Sequence, residues 1–332
     1  MFKHIYIEEK VSSHPRVIKI CNKHPAAKII YCDKYSEIFN KKSQNFRLQK
    51  LNPSLILASK DHNFVLSAPG EFSIGGELNY YFSHMLNCLY DCRYCFLQGM
   101  YRSANYVLYV NYEDYINEIQ NISSKYPDKK IHYFSGYDCD SLVFEPITEF
   151  AKNFIQAFNS LPNSLLELRT KSTQIRSLLS MPPVPNCIIA YSLNPDKIAV
   201  ALEHKAPSIK SRLIALQKLQ QHGWNIGLRF DPLIYDSDYK QIYSVLFKEV
   251  FNMLNIDQVH SISIGTFRLP KTYFKVLKEL YPEEMLLASP LDESKGIVQY
   301  KSSIRATLFE YCYNDLLRYA PEQKIYPCES FE

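Results

Sequence analysis

The chain reads as an α/β protein whose body is a partial (β/α)6 barrel of the TIM type, and three observations predict it. From about residue 75, apolar β-type runs alternate with stretches whose apolar residues recur at three and four. Such alternation argues for parallel strands joined by helical crossovers. Six strand–helix units can be counted, short of the eight that close a barrel. The 332 residues, 46% of them hydrophobic, suffice for one large core or for a large domain with a small appendage. A barrel left open on one side admits a large substrate.

Residues 1–70 differ from the rest. They are basic, with short apolar runs at 17–20, 29–32 and 55–58 and no repeat, and are expected to form a small N-terminal extension packed on the barrel. The barrel is expected over 71–284, with strands at 77–84, 131–135, 165–170, 187–193, 224–230 and 258–265. Helical patterns fall at 112–125, 147–159, 209–222 and 239–254. His222–Gly223 marks a helix exit, and the run MPPVP at 181–185 closes a helix before the fourth strand. Residues 285–332 are expected to supply a loop or β-hairpin, from the polar run SPLDESKGIVQYKSS, and a last helix at 304–319.

The formal net charge is only +4, too small to announce a polyanion partner, but its distribution is uneven. Nine basic residues lie between Arg16 and Lys50, against only Asp33 and Glu37. Such a patch attracts phosphate backbones, although a solvated surface explains it equally well. No apolar run approaches the roughly 18–20 residues that span a bilayer, so no membrane is expected. The opening MFKHIYIEEK lacks the apolar stretch and small-residue cleavage site of a secretory signal. A reducing cytoplasm is the expected compartment, and it suits free thiols.

Three cysteines carry the chemistry. Cys88, Cys92 and Cys95 stand in NCLYDCRYCFLQ with spacing C-x3-C-x2-C. Three thiolates so close in sequence can hold three irons of a [4Fe-4S] cluster and leave the fourth iron without a protein ligand. An open iron takes a small chelating molecule, which in the radical SAM superfamily is S-adenosyl-L-methionine (SAM), bound through its amino and carboxylate groups. A zinc site normally takes four protein ligands, and only His84 stands near as a fourth. Three clustered thiols leave an odd one after any disulfide.

The cysteines follow the first predicted strand, and loops at the carboxyl ends of parallel strands build the sites of such folds. Ser135 and Gly136 end the second strand, where a small residue lets the backbone approach a ligand. Lys171 ends the third and offers a point charge to a carboxylate or ribose oxygen. Ser192 and Asn194 end the fourth and offer hydrogen bonds to ribose hydroxyls. Arg268 and Lys271 follow the sixth strand, after Gly265, while Lys295, Lys301 and Arg305 are candidates for phosphate.

The segments SHMLNCLYDCRYCFLQ, FSGYDCDSLVFEP, LRTK, AYSLNP, RLIALQKLQQHGWNIGLRFDPLIY and FRLPKTYFKVLKELYP resemble, in that order, the spore photoproduct lyase family of radical SAM enzymes. The opening IYIEEK resembles that family's N-terminal strand. The resemblance implies repair of the methylene-linked thymine dimer in DNA. A 5′-deoxyadenosyl radical takes a hydrogen from the lesion, the linking bond fragments and a hydrogen atom is returned. It also implies a low-potential electron donor such as flavodoxin or ferredoxin.

Carried over residue by residue, Cys88, Cys92 and Cys95 match the cluster ligands, and Lys171 and Ser192 match SAM-contacting positions. Tyr94 matches a tyrosine of the hydrogen-transfer relay. Phe96 stands where the family has a second relay tyrosine, and a phenyl ring has no O–H to give. Cys139 falls about one residue from the family's hydrogen-donor cysteine. Rival readings are a radical SAM enzyme acting on another nucleic acid or protein, and a non-catalytic iron–sulfur protein that binds nucleic acid.

Overall fold

The computed structural model describes residues 2–70 and 73–328. Its main sheet has eight strands, and the six expected ones form its centre. They are Leu78–Phe82, Ile131–Ser135, Ser164–Thr170, Cys187–Ser192, Asn225–Leu233 and Val259–Thr266, neighbours in sequence order and parallel throughout. Leu66–Ser67 adds an antiparallel edge and Ile325–Pro327 a parallel one. These two edges do not pair with each other, so the barrel is open. The expected helices appear as Tyr112–Lys125, Phe150–Phe158, Ile209–His222 and Tyr239–Met253, and the last as Ser302–Leu316.

Alternate side chains on a strand point to opposite faces, and here the two faces have opposite character. Tyr133, Leu168, Ile189, Leu228 and Ile262 join the main core with helix residues such as Phe154, Leu216 and Phe247. The other face carries a small apolar floor of Ile74, Ile188 and Ala190, packed with Phe134, Leu165 and Tyr326. Beside it lie charges. Arg229 Nε and Nη2 donate to the Glu167 carboxylate at 3.1 and 2.7 Å, with both side chains fully buried. Burial alone would raise the Glu167 carboxyl, but Arg229 and Arg169 outweigh it and hold the group at about 2.

The N-terminal layer is a second sheet, ordered Lys28–Cys32, His4–Glu8, Leu55–Ala58, Tyr106–Tyr109, Met85–Leu86. Its last two strands come from beyond residue 70 and flank the cysteine loop, so that loop is framed by the N-terminal sheet as well as by the barrel. Much of the basic stretch is consumed in packing. Arg16 donates to the Val110 carbonyl at 2.7 Å and to Glu113 at 2.7 and 2.8 Å. Lys19 and Lys23 pair with Glu149, and Lys50 lies inside, on Asp91 and Gln98.

The run at 289–303 does form a hairpin. Leu291–Ser294 pairs antiparallel with Ile297–Tyr300, and Arg268–Pro270 adds a third strand. Lys295 and Gly296 at its tip have φ of +50° and +79°, the left-handed pair a two-residue type I′ turn requires. Among the described residues no helix is long and apolar enough to cross a membrane.

Candidate active site

The cysteine loop is tied down on every side. Asp91–Cys92 pairs antiparallel with Glu203–His204, and the Arg93 amide donates to the Leu202 carbonyl at 2.8 Å. Asn87, at φ +69°, donates its side-chain amide to the carbonyls of Ser103 and Asn105, both at 2.7 Å. Lys50 bridges the two halves of the loop by donating to Asp91 and Gln98. The Tyr281 ring lies under Arg93 at 3.7 Å and its hydroxyl donates to Gln98 at 3.3 Å.

Cys88, Cys92 and Cys95 line a cavity of about 610 Å³ at the carboxyl ends of the parallel strands. Burial pushes all three thiols up, Cys92 to about 12. Among the described residues no three His, Cys, Asp or Glu side chains converge on a single ion. Three thiols on one cavity fit a cluster, to which each could give one ligand.

Ser135, Gly136, Cys139, Lys171 and Ser192 line the same cavity. The Ser135 hydroxyl donates to the Glu167 carbonyl at 2.8 Å and sits 2.8 Å from the Ser141 hydroxyl, so its side chain braces the strand end. Gly136 has φ +75°, and a Cβ there would lie 2.5 Å from Ser141 Oγ; only glycine fits. Lys171 Nζ lies 5.4 Å over the Tyr94 ring. Burial lowers the Lys171 ammonium, but the facing Cys92 and Glu203 more than offset this and it ends above its ordinary value. Cys139 is buried with its sulfur 3.9 Å from His84 Nδ1. Burial, with Asp138 and Asp140 alongside, raises its thiol well above the usual range.

Asn194 is turned elsewhere. Its amide donates to Glu203 at 3.1 Å and to the Tyr94 hydroxyl at 3.4 Å. Tyr94 itself donates to Glu203, and Arg212 donates to the other Glu203 oxygen and to the Ser192 carbonyl at 3.1 Å. Glu203 and Arg212 escaped sequence reasoning. Nothing in their spacing marks them, and most other polar residues of the helix that carries Arg212 face solvent, Gln220 excepted. Asp140 was also missed. Its carboxylate accepts from Thr170 Oγ1 and the Lys171 amide, both at 2.7 Å, and from the amides of Leu142 and Val143 at 2.9 Å. Its signal was legible: an Asp two residues before a turn of amides caps them.

Of the outer candidates, Arg268, Lys295 and Arg305 reach the cavity wall. Arg268 donates to Asp231 at 3.0 Å and Arg305 to Gln299 at 2.7 Å. Gly265 gives Arg268 its room, since a Cβ there would lie 2.9 Å from the guanidinium. Lys271 pairs with Glu293 at 2.8 Å on the outside, and Lys301 is exposed.

Comparison with known proteins agrees with this geometry. The family model described as spore photoproduct lyase matches residues 76–316. The spore photoproduct lyase of Geobacillus sp. (strain Y412MC61) is 24% identical over 231 residues, 69% of this chain and 66% of that protein. The Bacillus subtilis (strain 168) enzyme is 24% identical over 215 residues, 63% of this chain and 61% of its own length. The matched stretch thus spans just under two thirds of each relative. Among solved structures, a spore photoproduct lyase double variant with bound AdoMet and dinucleoside spore photoproduct superposes with a TM-score of 0.87 at 17% identity, covering 99% of this chain and 98% of that one. A spore photoproduct lyase complexed with dinucleoside spore photoproduct gives 0.84 at the same identity and coverage. The likeness of fold is that of a radical SAM partial barrel, and with the family model matching well over half of its residues, the chain belongs to the spore photoproduct lyase family.

Proposed function

We propose that this chain is a radical SAM lyase that repairs a thymine photoproduct in DNA, acting in the cytoplasm with a low-potential flavodoxin or ferredoxin as its electron source. One observation carries the proposal: the three loop thiols, Lys171 and Cys139 all open on one cavity. Cys88, Cys92 and Cys95 would hold a [4Fe-4S] cluster, and Gly136, Lys171, Ser192 and the Ser135 strand end would hold SAM. Together these groups supply one-electron cleavage of a sulfonium to a radical that abstracts hydrogen.

The chain's own residues do the rest. Lys171 supplies a fixed positive charge for a carboxylate or ribose oxygen. Gly136 keeps the strand end open to a ligand's polar atoms. Cys139 is the hydrogen donor. A thiol can return a hydrogen atom to a product radical and a thiolate cannot, so a raised pKa suits this task. His84 beside it is fully buried and lowered to about 3 by that burial, so it is neutral and does not take the thiol proton. Tyr94 keeps its O–H on Glu203, and Asn194 supports that pair rather than a ribose. Arg268, Lys295 and Arg305 give the mouth the positive charge a phosphodiester substrate calls for.

The test is anaerobic turnover of reconstituted protein with dithionite, SAM and an oligonucleotide carrying spore photoproduct. Recovered thymine and 5′-deoxyadenosine are followed by mass-resolved chromatography in one run. Both products are expected. Deoxyadenosine without thymine would keep the radical chemistry and overturn the substrate; neither product would overturn the enzyme.

A further inference from the structure

One wall of the cavity is aromatic. Tyr81 comes from the first barrel strand, Tyr137 from the turn after the second, Phe96 from the cysteine loop and Tyr273 from the first turn of Lys271–Leu280. Tyr81 and Tyr137 have ring centroids 4.4 Å apart, Tyr137 and Phe96 5.3 Å, and Phe96 and Tyr273 6.3 Å with planes 28° apart. The four rings form a continuous strip. Large rings such as Tyr112, Tyr133 and Tyr243 are buried completely in the core, whereas these four are half-buried and line the cavity. The same cavity is walled by the cations Arg169, Arg268 and Lys295. Ring faces together with guanidinium and ammonium groups are what an unpaired stretch of nucleic acid requires, since it offers flat bases and phosphates at once.

We propose that Tyr81, Phe96, Tyr137 and Tyr273 form a stacking platform for the bases of an extruded pyrimidine lesion, with Arg268 and Lys295 meeting the flanking phosphates. The inference rests on DNA being the substrate. An extruded base loses its stacking partners in the duplex, and a platform that replaces them offsets part of the cost of extrusion. The platform is sequence-tolerant, because every base has a π face. It selects an unstacked nucleotide over a paired one, and leaves identity to the groups at the cluster end.

The test compares Tyr81→Leu, Tyr137→Leu and Tyr137→Phe in the cluster-loaded enzyme, with iron content and SAM affinity measured on each preparation. The binding probe is a fluorescent duplex carrying one spore photoproduct, read beside the same duplex undamaged. Each leucine variant is expected to bind the lesion duplex about tenfold more weakly, within the range per stacked base. Tyr137→Phe, which keeps the ring, should stay within about twofold of wild type by the same reasoning. Iron content and SAM affinity should not move. Leucine variants that bind the lesion duplex as tightly as wild type would overturn the platform. So would a parallel loss of SAM affinity, which would assign the rings to the adenine. Failure of the wild type to bind either duplex would remove the DNA reading itself, and the platform with it.

Discussion

At the scale of single residues, Cys139 and Gly136 stand side by side on the cavity wall. The sequence places Cys139 after the second strand, one residue off the family pattern, and in the structure it lines the cavity. If Cys139 returns the hydrogen atom, Cys139→Ala should still cleave SAM but divert the substrate radical to side products. Liquid chromatography with mass detection of both products checks this, and an unchanged product profile would remove the residue from the mechanism. Gly136→Ala places a Cβ 2.5 Å from Ser141 Oγ on a backbone with φ +75°. A loss of roughly 1–3 kcal/mol is expected, from left-handed strain and overpacking together, measured by urea unfolding. Asn194 shows where single-residue inference stops. A polar residue at a strand end offers the same hydrogen bonds to a ligand as to a neighbouring carboxylate, and its partner Glu203 lies on a different element that no spacing rule connects to it.

At the scale of elements, the cysteine loop is held by segments distant in sequence. The six barrel strands were legible because buried parallel strands are continuous apolar runs. Asp91–Cys92 and Glu203–His204 were not, because a two-residue pairing has no period to detect. Tyr106–Tyr109 was missed for a related reason: it is a short run whose partner strand, Leu55–Ala58, belongs to the sheet of the N-terminal region. Beneath the loop, Arg212 and Glu203 form a buried ion pair with 1% and 0% side-chain exposure. Removing one partner leaves an uncompensated charge, so Arg212→Met should cost on the order of 3–5 kcal/mol. The double variant Arg212→Met/Glu203→Met should recover part of that loss, because the carboxylate is no longer stranded, but not all of it, because Lys171, Tyr94 and Asn194 lose Glu203 as a partner. Thermal unfolding of the three proteins checks both statements, and a double variant no better than the single one would contradict them. By contrast, Cys92→Ala should abolish cluster assembly while leaving the barrel folded, read as iron content against far-ultraviolet circular dichroism.

At the scale of the whole molecule, the open barrel encloses charge where a closed one would pack layers of aliphatic side chains. That polar interior was not legible, because Glu167 and Arg229 sit in runs otherwise apolar enough to read as strands with two buried faces. It gives the fold a pH dependence with a definite sign. Burial keeps His84 at about 3, and His132 and His260 at about 4. In the unfolded chain each would titrate near 6.5. Between those values the unfolded state binds protons that the folded state refuses, so stability is full above pH 6.5 and is lost as pH falls. At about 1.4 kcal/mol for each tenfold change in proton affinity, these shifts are on the order of 3–5 kcal/mol per histidine over its full window, largest for His84. Glu167 extends the same trend. Its folded value of about 2 lies below the ordinary carboxyl value of about 4.3, so its contribution is present above that value and is lost as pH drops toward 2. Glu145 opposes this trend, since burial raises its carboxyl to about 7, but it is one group against three histidines, so urea midpoints measured from pH 6.5 down to pH 4.5 should still fall. His132→Gln should flatten the slope between pH 6.5 and pH 4.5, since it removes one of the groups that must charge on unfolding. A wild-type midpoint that stays constant across this range would mean the histidines are solvated in the folded protein, and the closed packing of the barrel floor would have to be abandoned.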